Sequence, residues 1–242
     1  MKARHTNPPG KIGRCARIAG AALRMQARHT MAVVAAGLGL LLAGCSSSLE
    51  MEVQSEVPAP LISQLPIHVG VHYPDGFDEY VFEQDSEDRG GWRIQTGQAQ
   101  VAMFQRILPA MCARIDEVSR MPVAESAEID AVLMPSLAHM ELALPEETPF
   151  DFYEAWVRYK MHLLDRDGTP IAEWTVTGYG KVTDRDMFSS REASLNAAID
   201  AALRDAGGQF ALGFRQQQAV RNWLCNDTAA SKSAICSKSP ST

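Results

Sequence analysis

From Ile67 apolar and other residues alternate, with Ile67, Val69, Val71 and Tyr73 on one side and His68, Gly70 and His72 on the other, which predicts a first strand. Pro74-Asp75-Gly76 is turn chemistry, Phe77–Gln84 continues as a second short strand, and residues 85–91 form an acidic loop ending in glycine. The period then becomes helical: Val101, Phe104, Leu108, Met111, Ile115 and Val118 recur at intervals of three and four, one stripe within a helix over Gln98–Val118. Pro109 removes a hydrogen bond there and predicts a kink near Gln105. Asp130–Leu144 alternates again, and Pro135 predicts an edge position or a bulge, because proline cannot donate to a ladder.

Two longer alternating runs, Phe152–Leu164 and Ile171–Val182, flank Asp165-Arg166-Asp167-Gly168, a hairpin signal. With Leu164 facing Thr169, Val157 meets Val176, Tyr159 meets Trp174 and Met161 meets Ala172 on one face. Lys160 then meets Glu173, and Arg158 meets Thr175, on the other. Each such pair is worth ~0.2–1 kcal/mol, and a slip of one residue scrambles both faces. Ser189-Ser190-Arg191-Glu192 fits a capping box with Ser189 as the cap. A second amphipathic helix follows through Leu195, Ile199, Ala202, Leu203, Ala206 and Phe210; Gly207-Gly208 is a possible break before Ala211–Leu224. The order strand, helix, strand, hairpin, helix predicts an α+β fold: an antiparallel or mixed sheet of about four to five strands with two main helices on one face.

Upstream of this domain the pattern is of another kind. Lys2, Arg4, Lys11, Arg14, Arg17, Arg24 and Arg28 precede the apolar run Ala32–Leu42, and small residues then lead to Cys45. That is the layout of a secretory signal. The run falls short of the roughly 20 residues that cross a bilayer. Leu42-Ala43-Gly44-Cys45 resembles the lipobox of bacterial lipoproteins. The resemblance implies cleavage before Cys45, a diacylglycerol on its thiol and an acyl group on its new amino terminus. Ser46, in place of aspartate, implies the outer membrane by that family's sorting rule. Residues 1–44 are then a signal peptide, long enough that Met25 or Met31 can be the start, and 45–66 a lipidated cysteine with a Ser- and Pro-rich tether. Residues 67–224 are one periplasmic domain and 225–242 a mobile tail. At full extension such a tether reaches on the order of 65 Å.

Cleavage leaves 198 residues, in which 16 basic side chains face 29 acidic ones, a net charge of −13. That balance argues against nucleic acid as a partner, since phosphate binding needs a basic face. Of the remaining cysteines, Cys225 and Cys236 close a short loop and are the candidate disulfide, while Cys112 reads as a buried, inert thiol on the first helix. No cysteine or histidine spacing matches a zinc site, so no metal is expected. His68 and His72 share a strand face, and without a third ligand a solvated face accounts for them.

The sequence contains no GxSxG, HExxH, P-loop or GxGxxG, and Gly178-Tyr179-Gly180 lies inside a strand, where glycines permit a bulge or close packing. Behind its lipobox the element order is similar to that of small periplasmic lipoprotein domains, such as those of the curli-secretion, polysaccharide-export and lipopolysaccharide-transport lipoproteins. The likeness covers roughly residues 67–224 and rests on Asp130-Ala131-Val132-Leu133, the Asp167-Gly168 hairpin and the Ser-capped Ala-rich helix; only Cys45 inherits a role from it. Three readings follow. The first is a non-catalytic accessory lipoprotein docking on an envelope transport or assembly protein, with Trp156 on the polar hairpin face as the contact residue. The second is a binder of lipid or glycan, with a cavity between sheet and helices. The third is a hydrolase, which requires Asp184, Asp186 and His162 to converge.

Overall fold

The computed structural model of the chain describes residues 49–84, 91–123, 128–148, 151–183 and 190–226. In chain order these form β1 (Leu49–Glu52), β2 (Leu65–Val71), β3 (Val81–Gln84), β4 (Trp92–Gln95), α1 (Gly97–Met111), β5 (Cys112–Glu117), β6 (Ala131–Ala143), β7 (Phe152–Leu164), β8 (Pro170–Thr183), α2 (Arg191–Gly213) and α3 (Gln218–Asn226). The main sheet has the order β5-β2-β6-β7-β8 and a smaller one the order β1-β4-β3. The main sheet is mixed, parallel across β5, β2 and β6 and antiparallel from β6 to β8. The fold is α+β.

The hairpin forms where its pattern predicts, with a register two residues further along: Val157 lies opposite Gly178, Tyr159 opposite Val176 and Met161 opposite Trp174. The turn is the cause. Asp165 Oδ1 accepts from the N–H of Asp167 (2.9 Å) and of Thr169 (2.8 Å), and Gly168 takes φ +88°. This lengthens the loop to Thr169, and the register shifts again between Leu163 and Leu164. A shift of two preserves the faces, so Val157, Tyr159, Met161, Trp174 and Val176 are buried as their pattern requires. Lys160 still reaches Glu173 (2.8 Å), now diagonally. Lys160 holds the Glu173 carboxyl below its ordinary range, chiefly by a hydrogen bond.

The buried face packs on α1 and α2. Phe104 meets Tyr159 and Phe210 edge-on at 5.6 and 5.8 Å, and Trp174 stacks on Phe210 at 6.4 Å. Burying such side chains contributes ~1.5–3 kcal/mol each. Gly178 and Gly180 let α2 lie directly on β8: a Cβ would stand 2.1 Å from the Ala202 carbonyl oxygen at the first and 1.9 Å from that of Ala198 at the second. Close packing, not a bulge, is their role. Gly207 does not break α2 but admits Ile107 of α1, which a Cβ would approach to 2.3 Å.

Several expectations need correction. The first helix stops at Met111 instead of Val118, because the chain beyond Pro109 leaves the helix to pair Cys112–Glu117 with β2 in parallel. Cys112 therefore opens β5; it is free and buried, as its reading requires. Pro135 sits beyond the end of the β2–β6 ladder at Leu133, and the bulge falls between Leu137 and His139. The α2 cap is Ser190, which accepts from the Ala193 N–H (3.2 Å), one residue later than the predicted Ser189, which lies outside the described residues.

The tether expectation also changes, since only residues 45–48 lie outside the described part. Leu49–Glu52 pairs in parallel with β4, and the Gln54 and Glu56 N–H groups and the Ser55 hydroxyl donate to Asn196 and Asp200 of α2. The Arg215 guanidinium donates to the Ser63 carbonyl. At the other end Cys225 belongs to α3 and is disulfide-bonded; Cys236, its expected partner, lies outside the described residues.

Candidate functional site

Side chains alternate along β7, so burying Val157, Tyr159 and Met161 turns Glu154, Trp156, Arg158, Lys160 and His162 to the opposite face of the sheet. Thr175, Thr177, Tyr179 and Lys181 of β8 share it, with His139 and Glu141 of β6. At one end this outer face is closed. Val118, Ile129 and Val132 form a small second core there, and a Cβ on Gly70 would stand 2.6 Å from Val118. His68 lies beneath, 9% exposed, with Nε2 2.7 Å from Asp116 Oδ2 and Nδ1 on the Glu128 carbonyl. His72 Nδ1 faces the Val118 carbonyl at 2.8 Å. The expected solvated face does not form here: Val118, Ile129 and Val132 pack on it, Asp116 and Glu128 take both His68 ring nitrogens, and Val118 takes Nδ1 of the half-buried His72. Among the described residues no group of three or more His, Cys, Asp or Glu side chains is arranged to hold a metal.

At the other end the face is open. The Trp156 indole packs against the Tyr179 ring, with centroids 5.1 Å apart and planes tilted by 35°. Trp156 is half-buried and Tyr179 is 39% exposed. The Tyr179 hydroxyl donates to Glu154 Oε1 (2.7 Å), and Lys181 Nζ lies 3.7 Å from the same carboxylate. Burial, with Glu154 as the second cause, pushes the Tyr179 hydroxyl up to about 12, so it remains a donor at neutral pH. His139 Nε2 stands 3.4 Å from Glu141 Oε2. Arg158 is exposed, and among the described residues no carboxylate lies within ion-pair distance of it. Trp156, Arg158, Thr177, His139 and Glu141 border a shallow depression of about 380 Å³. These groups supply stacking area and directed hydrogen bonds, the chemistry of recognition.

Of the residues singled out by sequence, Trp156 lies in this site, and α2 packs on the opposite face instead of covering it. His162 also lies on the outer face, with Nδ1 3.2 Å from Glu173. Asp184, Asp186, Cys45 and Cys236 lie outside the described residues. On the other side of the sheet Phe104, Tyr159, Phe210 and Phe214 fill the space between sheet and helices, where the second reading expects a cavity. Sequence reasoning missed Tyr179 and Arg158 as site members. The predicted register puts Thr177 opposite Trp156, and only the two-residue shift brings Tyr179 there.

No protein-family model matches the chain, and no curated protein matches it. Among solved structures, a Xanthomonas campestris protein of family DUF330 is similar at 16% identity and a TM-score of 0.47, over 67% of this chain and 91% of that one. A candidate lipoprotein from Caulobacter crescentus is similar at 12% identity and a TM-score of 0.37, over 66% and 92%. A minor lipoprotein from Acinetobacter baumannii is similar at 11% identity and a TM-score of 0.37, over 67% and 95%. No helix among the described residues is long and apolar enough to cross a membrane.

Proposed function

We propose that the chain is a lipid-anchored protein of the bacterial outer membrane, facing the periplasm, that acts without catalysis by docking on an envelope transport or assembly protein. The lipobox-like Leu42-Ala43-Gly44-Cys45 supports the anchor, with a diacylglycerol and an N-acyl group on Cys45 as its covalent lipids. Two or three acyl chains hold a protein stably where one does not. Ser46 supports the outer membrane. The observation that carries the docking reading is the open sheet face with Trp156 against Tyr179 and, beside them, an exposed Arg158 with no carboxylate partner among the described residues. Trp, Tyr and Arg are the residue types that dominate binding energy in protein interfaces.

The short reach of the anchor supports a partner at the membrane surface. Three residues separate Cys45 from Leu49, where β1 starts, so the chain between them can span at most ~14 Å, well short of the ~65 Å of a tether running to residue 66. The test is a photoreactive amino acid placed at position 156 of the full chain in cells. A specific adduct that disappears with Cys45→Ala is the expected result. An intact, membrane-bound protein that yields no adduct at 156 overturns the reading.

A second reading has one observation in its favour. The depression beside Trp156 is bordered mainly by polar groups, among them the exposed Arg158 guanidinium, which suits a saccharide ring stacked on the indole. Tryptophan fluorescence during titration with envelope oligosaccharides separates the two, since a quench that saturates in the wild type and is lost in Trp156→Phe requires a sugar in the depression.

A further inference from the structure

Strand β8 is an outer strand of the main sheet, and its register with β7 runs unbroken from Ala172 to Thr183. Backbone groups in such a strand point alternately toward and away from the partner. The Tyr179 N–H donates to Asp205 Oδ2 of α2 (3.0 Å), so Tyr179 points away from β7, and Glu173, Thr175 and Thr177 point the same way. Sheet edges are normally guarded by proline, charge, bulges or a covering element. Here Pro170 guards one end of β8 and Asp205 the other. Between them, among the described residues, no acceptor stands opposite the N–H of Glu173, Thr175 or Thr177. Thr175-Val176-Thr177 is β-branched throughout, and both threonines are exposed.

A cleft of about 290 Å³ runs beside this open stretch, lined by Trp174, Gln209, Gly213 and Gln217. A Cβ on Gly213 would meet nothing within 4 Å, so the cleft is open at that point. Trp174 is 9% exposed, and its buried indole N–H has no acceptor among the described residues. Unpaired backbone groups at strand spacing and two amide side chains match an extended polypeptide, whose own amides alternate donor and acceptor.

We propose that the Glu173–Thr177 edge of β8 receives an extended, neutral or basic segment of the partner protein as a sixth strand of the main sheet. The proposal rests on the docking reading and names its mode. The mature chain carries a net charge of −13, which opposes a second copy at this edge and favours a basic segment.

The probe is the peptide Lys-Thr-Val-Thr-Val-Thr-Lys, blocked at both ends, added to the purified lipidated full chain in detergent. Amide hydrogen exchange at Thr175 and Thr177 is followed. Exchange at both slows about tenfold at a peptide concentration ten times Kd. Thr175→Pro, which removes one outward N–H at a position where an edge strand tolerates proline, abolishes the slowing at Thr177, the amide that remains to be read. Gly213→Trp fills the cleft, at a backbone φ of −76° that any residue adopts, and abolishes it with the edge intact. Unchanged exchange at millimolar peptide overturns the proposal. So does protection that grows with protein concentration without peptide, which marks a second copy at the edge. An adduct at position 156 combined with unchanged exchange here retains the docking reading and removes only the strand addition.

Discussion

Trp156 and Tyr179 stand directly opposite each other on β7 and β8, with ring centroids 5.1 Å apart, on the sheet face turned away from α1 and α2. The pair is held from below by the Tyr179–Glu154 hydrogen bond (2.7 Å). Edge-to-face and offset ring pairs contribute ~0.5–1.5 kcal/mol beyond their buried area, so a double-mutant cycle with Trp156→Ala and Tyr179→Ala should return a coupling in that range. Urea unfolding of the four proteins measures it. Additive single effects contradict the stacking.

Gly180 and Gly208 predict opposite outcomes for the same change. A methyl on Gly180 meets the Ala198 carbonyl at 1.9 Å, and neither backbone can yield without separating α2 from β8. Gly180→Ala should therefore destabilise by several kcal/mol, on the order of 3 or more. Gly208 sits on the exposed side of α2 with nothing within 4 Å of the added methyl. Gly208→Ala should stabilise by ~0.5–1 kcal/mol through helix propensity. Thermal unfolding of both variants decides.

What the sequence discloses and what it conceals follow the same division between local and distant contacts. The faces of β7 and β8 are legible because they need only a period of two, which survives a register error of two residues. The register itself depends on the Asp165 side chain closing the turn on Thr169, which no periodicity encodes. Ile115 and Val118 continue the intervals of α1, so the change to β5 is invisible until β2 is known to lie beside it. The four-residue strands β1 and β4 are too short to show a period, and β1 pairs in parallel across some forty residues with β4. The site divides in the same way. Trp156 is conspicuous on a polar face, whereas its meeting with Tyr179 depends on the shifted register.

Cys112 gives a pH dependence. Burial pushes its thiol from the ordinary 9.0 up to about 12, with Arg215 pulling the other way. The folded state holds this proton more tightly than the unfolded chain, so its contribution is complete below pH 9.0 and falls as pH rises from 9.0 toward 12. The slope is ~1.4 kcal/mol per pH unit, and tyrosines, with an ordinary value of 10.0, add to it only higher up. Urea midpoints between pH 8 and pH 10 should drop further in the wild type than in Cys112→Ala, which keeps only the part of the drop that the buried tyrosines cause as pH approaches 10. An equal drop in both sinks the assignment. At acid pH, Glu192 behaves oppositely. Hydrogen bonds from its own backbone N–H and from Ser190 hold its carboxyl below the ordinary 4.5, so its contribution is present above pH 4.5 and lost below it.

The three-residue link between Cys45 and Leu49 carries a further prediction. Inserting about 20 Gly and Ser residues after Ser46 lets the domain move on the order of 25 Å from its anchor. If docking occurs at the membrane surface, the adduct at position 156 should weaken several-fold although the protein remains folded and lipidated. An adduct of unchanged yield contradicts a membrane-proximal partner.

The most direct measurement is the affinity between the purified lipidated chain and the protein captured at position 156, with wild type and Trp156→Ala compared by titration calorimetry. If Trp156 anchors the contact, its truncation removes ~2 kcal/mol and Kd rises about 30-fold, with the melting temperature of the variant still well above the assay temperature. An unchanged Kd contradicts docking through this face.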